Sequence, residues 1–424
     1  MDQSWTAGAG AVLPSDADAV LVGRVWNPAV GGPCTVLVRD GELVDLCHRF
    51  PTIHHVLEAD KPAEAVRRGA PRRSIGALDD ILTAMTAAVT NPAVPALLAP
   101  IDTQSVKAAG VTFVASLVER LIEEQTDGDS LSAASVRRDL LAAIGTDLRT
   151  VEPGSESAAR LRVELLRRGL WSQYLEVGLG PDAEIFTKAQ PLSTIGTAAD
   201  IGIPDESAWN NPEPEVVLVL DSRGTVKGAT LGNDVNLRDM EGRSALLLGQ
   251  AKDNNASCSI GPFVRLFDGG FDFDSVRSLD VSLNVRGQDG FQLHAVSHMA
   301  EISRDPAQLV EQLLRNHQYP DGVVLMLGTM FAPTDDRGTA GRGFTHHRGD
   351  IVRISSPEIG TLENRVEATE ACLPWRHGIV SLMDNLAARG LIGRDVEIAR
   401  LIDRPCQIAA ETRIGAAHDA TANG

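Results

Sequence analysis

A short apolar strand with acidic residues at its mouth constrains this chain more than any other feature. Asn211-Pro-Glu-Pro-Glu-Val-Val-Leu-Val-Leu220 sets Glu213 and Glu215 two positions apart, just before five consecutive apolar residues. Residues i and i+2 of a strand face the same way, so both carboxylates are expected to point at one spot. Asp234 follows nineteen positions after Glu215, in Gly232-Asn-Asp-Val-Asn-Leu-Arg-Asp239, a polar run where the chain can fold back beside the first. Three converging hard oxygens suit a Mg²⁺-like ion. Glu213, Glu215 and Asp234 are therefore the expected metal ligands of an enzyme.

The totals narrow the setting. The 424 residues are enough for two or three domains. Their 43% hydrophobic and 23% charged content is that of an ordinary globular protein. A formal net charge of −18 argues against a nucleic-acid partner, because phosphate binding needs a clustered positive face. The opening Met-Asp-Gln-Ser-Trp-Thr carries no signal-peptide pattern, and runs such as Val216–Leu220 are too short to cross a bilayer. The five cysteines are scattered without zinc-site spacing, so free thiols in a reducing cytoplasm are expected.

The pattern predicts a small β-rich N-terminal domain over residues 1–100, with a hairpin at Cys34–Cys47 that turns on Asp40-Gly41. Residues 101–408 read as one larger catalytic domain of mostly short strands, interrupted by an inserted helical hairpin at 126–170, and 409–424 as a loose tail. A helix is expected after Gly110, with Val114, Leu117, Val118, Leu121 and Ile122 on one face. Ser116, Glu119, Arg120 and Glu123 share the other, which on the residues alone reads equally well as solvated surface. His54 and His55, as neighbours on a strand, would face opposite ways, and with His294, His298, His317, His346 and His347 they lack metal-site company and read as structural. Asp335-Asp-Arg337 reads as an exposed charged loop.

Further along, Arg238 lies four residues after Asp234, Lys252 stands in Gln250-Ala-Lys-Asp-Asn-Asn-Ala-Ser-Cys-Ser-Ile-Gly-Pro-Phe263, and Leu327-Gly-Thr-Met330 closes an apolar strand. In this order (Glu-x-Glu, Asn-Asp-x-x-x-Arg-Asp, Lys…Ile-Gly-Pro, Gly-Thr) the chain resembles the fumarylacetoacetate hydrolase family over roughly residues 105–366. The resemblance implies an α+β fold, a mixed β-roll catalytic domain with a small N-terminal domain, usually assembled as a homodimer or dimer of dimers. It implies Mg²⁺, or Mn²⁺ or Ca²⁺, on Glu213, Glu215 and Asp234. Arg238, Lys252 and Thr329 match positions that surround the substrate in that family, and Phe186-Thr-Lys188 is similar to its Phe-x-Lys stretch.

The departures are informative. Where family hydrolases carry a water-activating histidine, this chain has Ser116, and a family glutamine is replaced by Glu241. The longer form, Trp209-Asn-Asn-Pro-Glu-Pro-Glu, Lys252-Asp-Asn-Asn-Ala-Ser-Cys and Gly328-Thr-Met-Phe-Ala-Pro333 resemble the branch that dehydrates 2-keto-3-deoxy pentonates. That resemblance implies dehydration of such an acid to 2-oxoglutarate semialdehyde, in which a proton shuttle replaces an activated water. Helical phase then makes Glu119 the expected shuttle, with Arg238, Lys252 and Thr329 as further catalytic residues. Lys252 would hold the substrate's oxygens or form an ion pair with Asp234 or Glu213. Ser116, Lys188 and Glu241 are the expected substrate contacts. The alternatives are a C–C hydrolase or decarboxylase of diketo acids on the same scaffold, and a metal-stabilised protein without activity.

Overall fold

The computed structural model describes residues 8–69, 73–87, 93–126, 151–167, 169, 171–331, 333, 335–337 and 343–392. The first predicted arm of the helical hairpin and the predicted tail lie outside them. Within the rest of the 126–170 range, a helix runs over Glu156–Arg167.

The strand Pro214–Leu220 is buried at every position. Alternation sends Val216, Leu218 and Leu220 into one apolar cluster and Val217 and Val219 into another. Covered on both faces, it needs no polar alternation, which is why it reads as a continuous apolar run. After a turn at Asp221–Thr225 the chain returns antiparallel as Val226–Asp234, with Glu215 opposite Gly232 and Pro214 opposite Asn233. Cys258–Leu266 pairs with that return strand, and Val323–Met326 lies on the other side of Pro214–Leu220.

These strands belong to an 11-stranded mixed sheet. A second sheet of five strands, including Asp280–Arg286, Ile351–Ser356 and Gly360–Ala368, packs against it. Val281, Leu283, Val285, Val352, Ile354 and Leu362 share a core with Val216 and Leu218. The N-terminal region carries the strands Leu21–Asn27, Gly32–Arg39 and Glu42–Asp45, and its hairpin turns at Asp40 and Gly41 with φ of 53° and 76°. Its strands are not a separate sheet: Leu21–Asn27 pairs with Cys258–Leu266 and so extends the large one. Among the described residues no helix is long and apolar enough to cross a membrane.

Two local readings need correction. His54 and His55 sit on the short helix Ile53–Leu57 rather than on a strand. Arg337 is buried rather than solvated: it pairs with Asp350, lies 3.0 Å from Asp289 and stacks 4.6 Å from the ring centre of Phe291. The charged run reads as exposed because the partners lie 13 and 48 residues away in sequence. Burial would push the Asp350 carboxyl up, but His346 and Arg337 outweigh it and hold the group at about 2, below the ordinary 3.8.

A carboxyl held down in the folded chain adds stability above its unfolded pKa and loses that contribution as pH falls through the folded value. Asp350→Asn should therefore cost about 3 kcal/mol at pH 7, by leaving Arg337 short of a buried partner. It should also flatten the stability curve between pH 4 and 2. Urea denaturation of both proteins across that range checks this, and equal pH curves would contradict it.

Candidate active site

The antiparallel register builds the site. Extending the pairing by one step from Pro214 and Asn233 sets Asp234 opposite Glu213, and the Asp234 N–H donates to the Glu213 carbonyl at 3.0 Å. Opposed residues share a face, and Glu215 is two positions from Glu213 on that same face. One oxygen from each of the three carboxylates lies within 4.8 Å of the others, and all three residues are buried. The strand Val226–Asp234 thus delivers the third ligand by pairing.

Glycine supplies a fourth contact. Gly328 has φ +96° and donates its N–H to Glu215 Oε2 at 2.6 Å. A Cβ there would lie 2.0 Å from Thr112 Oγ1, so only glycine brings this N–H onto the carboxylate.

Cations converge on the same oxygens. Lys252 Nζ, at the end of the helix Leu248–Lys252, reaches Glu213 Oε2 at 2.5 Å and Asp234 Oδ2 at 3.2 Å. Lys188 Nζ lies 2.9 Å from Asp234 Oδ1. Arg120 pairs with Glu213 and reaches Glu241 Oε2 at 2.9 Å. Burial alone would push Lys252 down, but Asp234 and Glu213 outweigh it and hold the ammonium above its ordinary range. Burial would likewise raise Asp234, and Lys188 and Lys252 bring it below the usual carboxylate range instead. Glu215 goes the other way: burial, then Asp234 and Glu213, raise it well above the ordinary value, with the Gly328 N–H and Lys252 only partly opposing.

The helix predicted after Gly110 is Val114–Gln125, and Ser116, Glu119 and Arg120 are buried. Of that polar face, Ser116 and Arg120 line the cavity, together with Glu184, Phe186, Glu213, Glu215, Asp234, Glu241, Lys252 and Thr329. The enclosed space is about 10 Å³, room for little more than one water. The Ser116 hydroxyl donates to the Phe113 carbonyl at 2.8 Å, and the Thr329 hydroxyl to the Phe331 carbonyl at 3.0 Å.

Three expected site residues stand elsewhere. Glu119 Oε2 faces Arg238 Nη1 at 3.6 Å, and Arg238 also donates to Asn211 Oδ1 at 2.8 Å and stacks over Trp209. Neither lines the cavity. Helical phase put Glu119 on the correct face, but its neighbour Arg120 is the one that reaches the carboxylates. Lys188 is fully enclosed behind Asp234, where it also binds the Val235 and Lys252 carbonyls.

Two residues escaped the sequence reading. Arg120 was grouped with a possible solvent face. Glu184 begins the strand Glu184–Ala189 and was read only as strand. Burial raises the Glu184 carboxyl above its ordinary range, with Arg120 and Lys252 opposing. The signal available for Glu184 was its position four residues before Lys188.

The donor set fits a hard divalent cation. It is all oxygen, and an ion with bonds of about 2.0–2.4 Å spans such a gap. The charge balance agrees. Among the described residues, Glu119, Glu184, Glu213, Glu215, Asp234 and Glu241 face Arg120, Lys188, Arg238 and Lys252. Counted as ionised, six carboxylates exceed four cations by two in a buried place, and the raised Glu184 and Glu215 carboxyls are where that formal excess is felt.

Residues 174–367 match the profile of the fumarylacetoacetate (FAA) hydrolase C-terminal domain. The chain is 32% identical over 179 residues to the 2-dehydro-3-deoxy-D-arabinonate dehydratase of Saccharolobus solfataricus, covering 42% of this chain and 57% of that protein. It is 33% identical over 193 residues to the protein named probable 2-keto-3-deoxyxylonate dehydratase in Haloferax volcanii, covering 46% and 63%. The chain thus spans somewhat over half the length of these curated relatives. Among solved structures, 2-keto-3-deoxy-D-arabinonate dehydratase complexed with magnesium and 2,5-dioxopentanoate matches with a TM-score of 0.55 at 22% identity, over 82% of this chain and 99% of that one. That likeness establishes the fold.

A buried charge excess is costly without its counter-ion. Glu215→Gln keeps an oxygen for the Gly328 N–H while removing one charge. It should stabilise the metal-free protein by about 1 kcal/mol, as relief of a strained functional site does. The same change should abolish the stabilisation by Mg²⁺, which for the parent reaches about 2.7 kcal/mol at a hundredfold excess over Kd. Thermal melts with and without Mg²⁺ check both effects. A destabilised variant that still responds to Mg²⁺ would contradict the charge account.

Proposed function

We propose, with residues 174–367 forming a FAA hydrolase C-terminal domain as the premise, that the protein dehydrates a 2-keto-3-deoxy pentonate to 2-oxoglutarate semialdehyde (2,5-dioxopentanoate). The observation that carries this reading is the buried carboxylate triad beside a lysine and a second, raised carboxyl, Glu184, in one cavity. The names of the two curated relatives support the same reaction class. Glu213, Glu215 and Asp234 would hold a divalent cation, Mg²⁺ in the proposal with Mn²⁺ or Ca²⁺ as substitutes, which would supply Lewis acidity toward the keto acid's oxygens.

The chain's own residues carry the proton work. Dehydration of the acid begins with loss of a proton from C3, made acidic by the neighbouring keto group. Glu184 takes it, as the raised carboxyl that lines the same cavity and can later return the proton. The same carboxyl returns the proton to the C4 hydroxyl, which departs as water and leaves a C3–C4 double bond. A C5 proton then moves to C3, and the resulting enol becomes the terminal aldehyde. Lys252 stabilises negative charge on the keto oxygen during both deprotonations.

Arg120 is the natural partner of the substrate carboxylate. It is the cavity cation carried by the helix Val114–Gln125, and it must leave Glu213 for a ligand of this size to enter. Glu241 holds Arg120, while Glu119 positions Arg238 and the helix. Thr329 and Ser116 offer hydroxyls to the substrate, and Lys188 fixes Asp234 from behind. The Ser116 hydroxyl, bonded to its own helix, is no base for activating water, which disfavours C–C hydrolysis. For assembly we retain the homodimer or dimer of dimers: Leu373, Trp375, Ile379, Val380 and Met383 expose the kind of apolar strip that subunit contacts cover.

Incubation with Mg²⁺ and a panel of 2-keto-3-deoxy acids should yield the semialdehyde. Pyruvate from the same acids, or cleavage of an acylpyruvate, would overturn the reaction. Glu184→Gln should lower kcat by 10² or more, in the range of a lost general base, with the Mg²⁺ stabilisation retained. Glu119→Gln should cost about tenfold or less. The reverse ranking would return the shuttle to Glu119.

A further inference from the structure

The N-terminal hairpin carries chemistry that the dehydration does not use. Cys34 lies on the strand Gly32–Arg39, and Cys47 follows the strand Glu42–Asp45. The register pairs Val36 with Asp45 and Leu37 with Val44, so its continuation sets Cys34 directly opposite Cys47. The Leu46 N–H donates to the Thr35 carbonyl at 2.9 Å, which makes Thr35 and Leu46 a hydrogen-bonded pair. The next pair, Cys34 and Cys47, would be of the non-hydrogen-bonded kind, which in a regular ladder has Cα atoms about 4.5 Å apart. That lies inside the Cα range of disulfides. The two sulfurs and an Asp45 oxygen are within 4.8 Å of one another.

The surroundings distinguish the two thiols. Arg389 Nη2, just past the helix Ile379–Ala388, points at Cys34 Sγ from 3.3 Å, and Asn27 Nδ2 stands 3.8 Å from it. The Cys47 thiol, Arg389 and Asn27 together bring Cys34 down to about 7 against burial and Asp45. Its partner is pushed the other way, by its hydrogen bond with Cys34 and by burial. Elsewhere burial pushes Cys258 and Cys372 up to about 12, so they are inert by comparison. A guanidinium this close to Cys34 also opposes a second cation there, which favours sulfur pairing over a metal.

We propose that Cys34 and Cys47 are a two-electron redox pair that closes to a disulfide when the protein meets a hydroperoxide. The Cys34 thiolate attacks one peroxide oxygen and the O–O bond breaks. The departing hydroxide takes a proton to become water, leaving Cys34 as a sulfenic acid. The Cys47 sulfur then displaces the sulfenic oxygen, which leaves as a second water with the Cys47 proton, and the S–S bond forms. Two thiols lose two electrons and the peroxide gains them.

The full chain, first reduced with dithiothreitol and freed of it, is titrated with hydrogen peroxide, then digested without reduction and analysed by mass spectrometry. The expected product is a Cys34–Cys47 linked peptide pair, two hydrogens lighter than the free peptides and restored by dithiothreitol. Cys47→Ser should instead leave a Cys34 sulfenic acid that dimedone traps. Arg389→Gln should slow Cys34 oxidation severalfold, because it removes one of the contacts that favour the thiolate while leaving the Cys47 hydrogen bond in place. Oxidation confined to other cysteines, or a different disulfide, would overturn the proposal. So would a stoichiometric Zn²⁺ that copurifies on Cys34 and Cys47 and protects both.

Discussion

One antiparallel pairing governs the candidate site. Because Glu213 stands opposite Asp234, and Glu215 two positions along, three carboxylates are buried on one face of a sheet that cannot easily move them apart. Like charges so placed repel, and their removal from water adds to the cost. Much else around them answers that cost. Lys188 and Lys252 pull Asp234 below its usual range, the Gly328 N–H lies on Glu215, and Arg120 closes over Glu213. Among the described residues the carboxylates formally outnumber the cations by two, and Glu215 carries the strain as a raised pKa. A protein selected only for stability would gain by replacing such a group with an apolar one. Its presence at the end of a rigid hairpin marks a place built to receive a cation.

The same charge arrangement shapes access. Arg120 and Lys252 both rest on Glu213, and the cavity between them holds about 10 Å³. For the proposed five-carbon acid to enter, Arg120 would have to leave Glu213, and an anionic substrate would offer that guanidinium another partner. In the proposed function, metal, arginine and substrate carboxylate would exchange partners within one electrostatic cluster, with Arg120 carried on the helix Val114–Gln125. Glu241 keeps hold of Arg120 at 2.9 Å, and Arg238 keeps hold of Glu119, so the polar face of that helix stays satisfied.

What was legible in the sequence follows from the range of each interaction. Glu213 and Glu215 share a face by strand period alone, and the apolar run after them announces a strand covered on both sides. The turn residues Asp40-Gly41 gave the N-terminal hairpin and its register, on which the Cys34–Cys47 pairing rests. Asp234 was within reach because a polar run returned soon after the strand, although that run proved to be the end of a nine-residue strand. Lys252 was expected either at the substrate or in an ion pair with Glu213 or Asp234, and it makes both ion pairs. Arg120 and Glu184 arrive from 93 and 29 positions before Glu213, and no local pattern says which face of their element meets it. Glu119 shows the limit of helical phase, which selects a face but not the residue on it that reaches furthest. Arg337 was misread for the same reason, since its buried partners are distant in sequence.

In the proposed function one divalent ion on Glu213, Glu215 and Asp234 answers the formal excess of two negative charges among the described residues. Isothermal titration of the metal-free protein with Mn²⁺, a spectroscopically and calorimetrically convenient stand-in for Mg²⁺, tests it most directly. The account predicts one ion bound per chain, displaced by excess Mg²⁺ and lost in Asp234→Asn. No binding, more than one ion at this cluster, or an undiminished affinity in Asp234→Asn would contradict it.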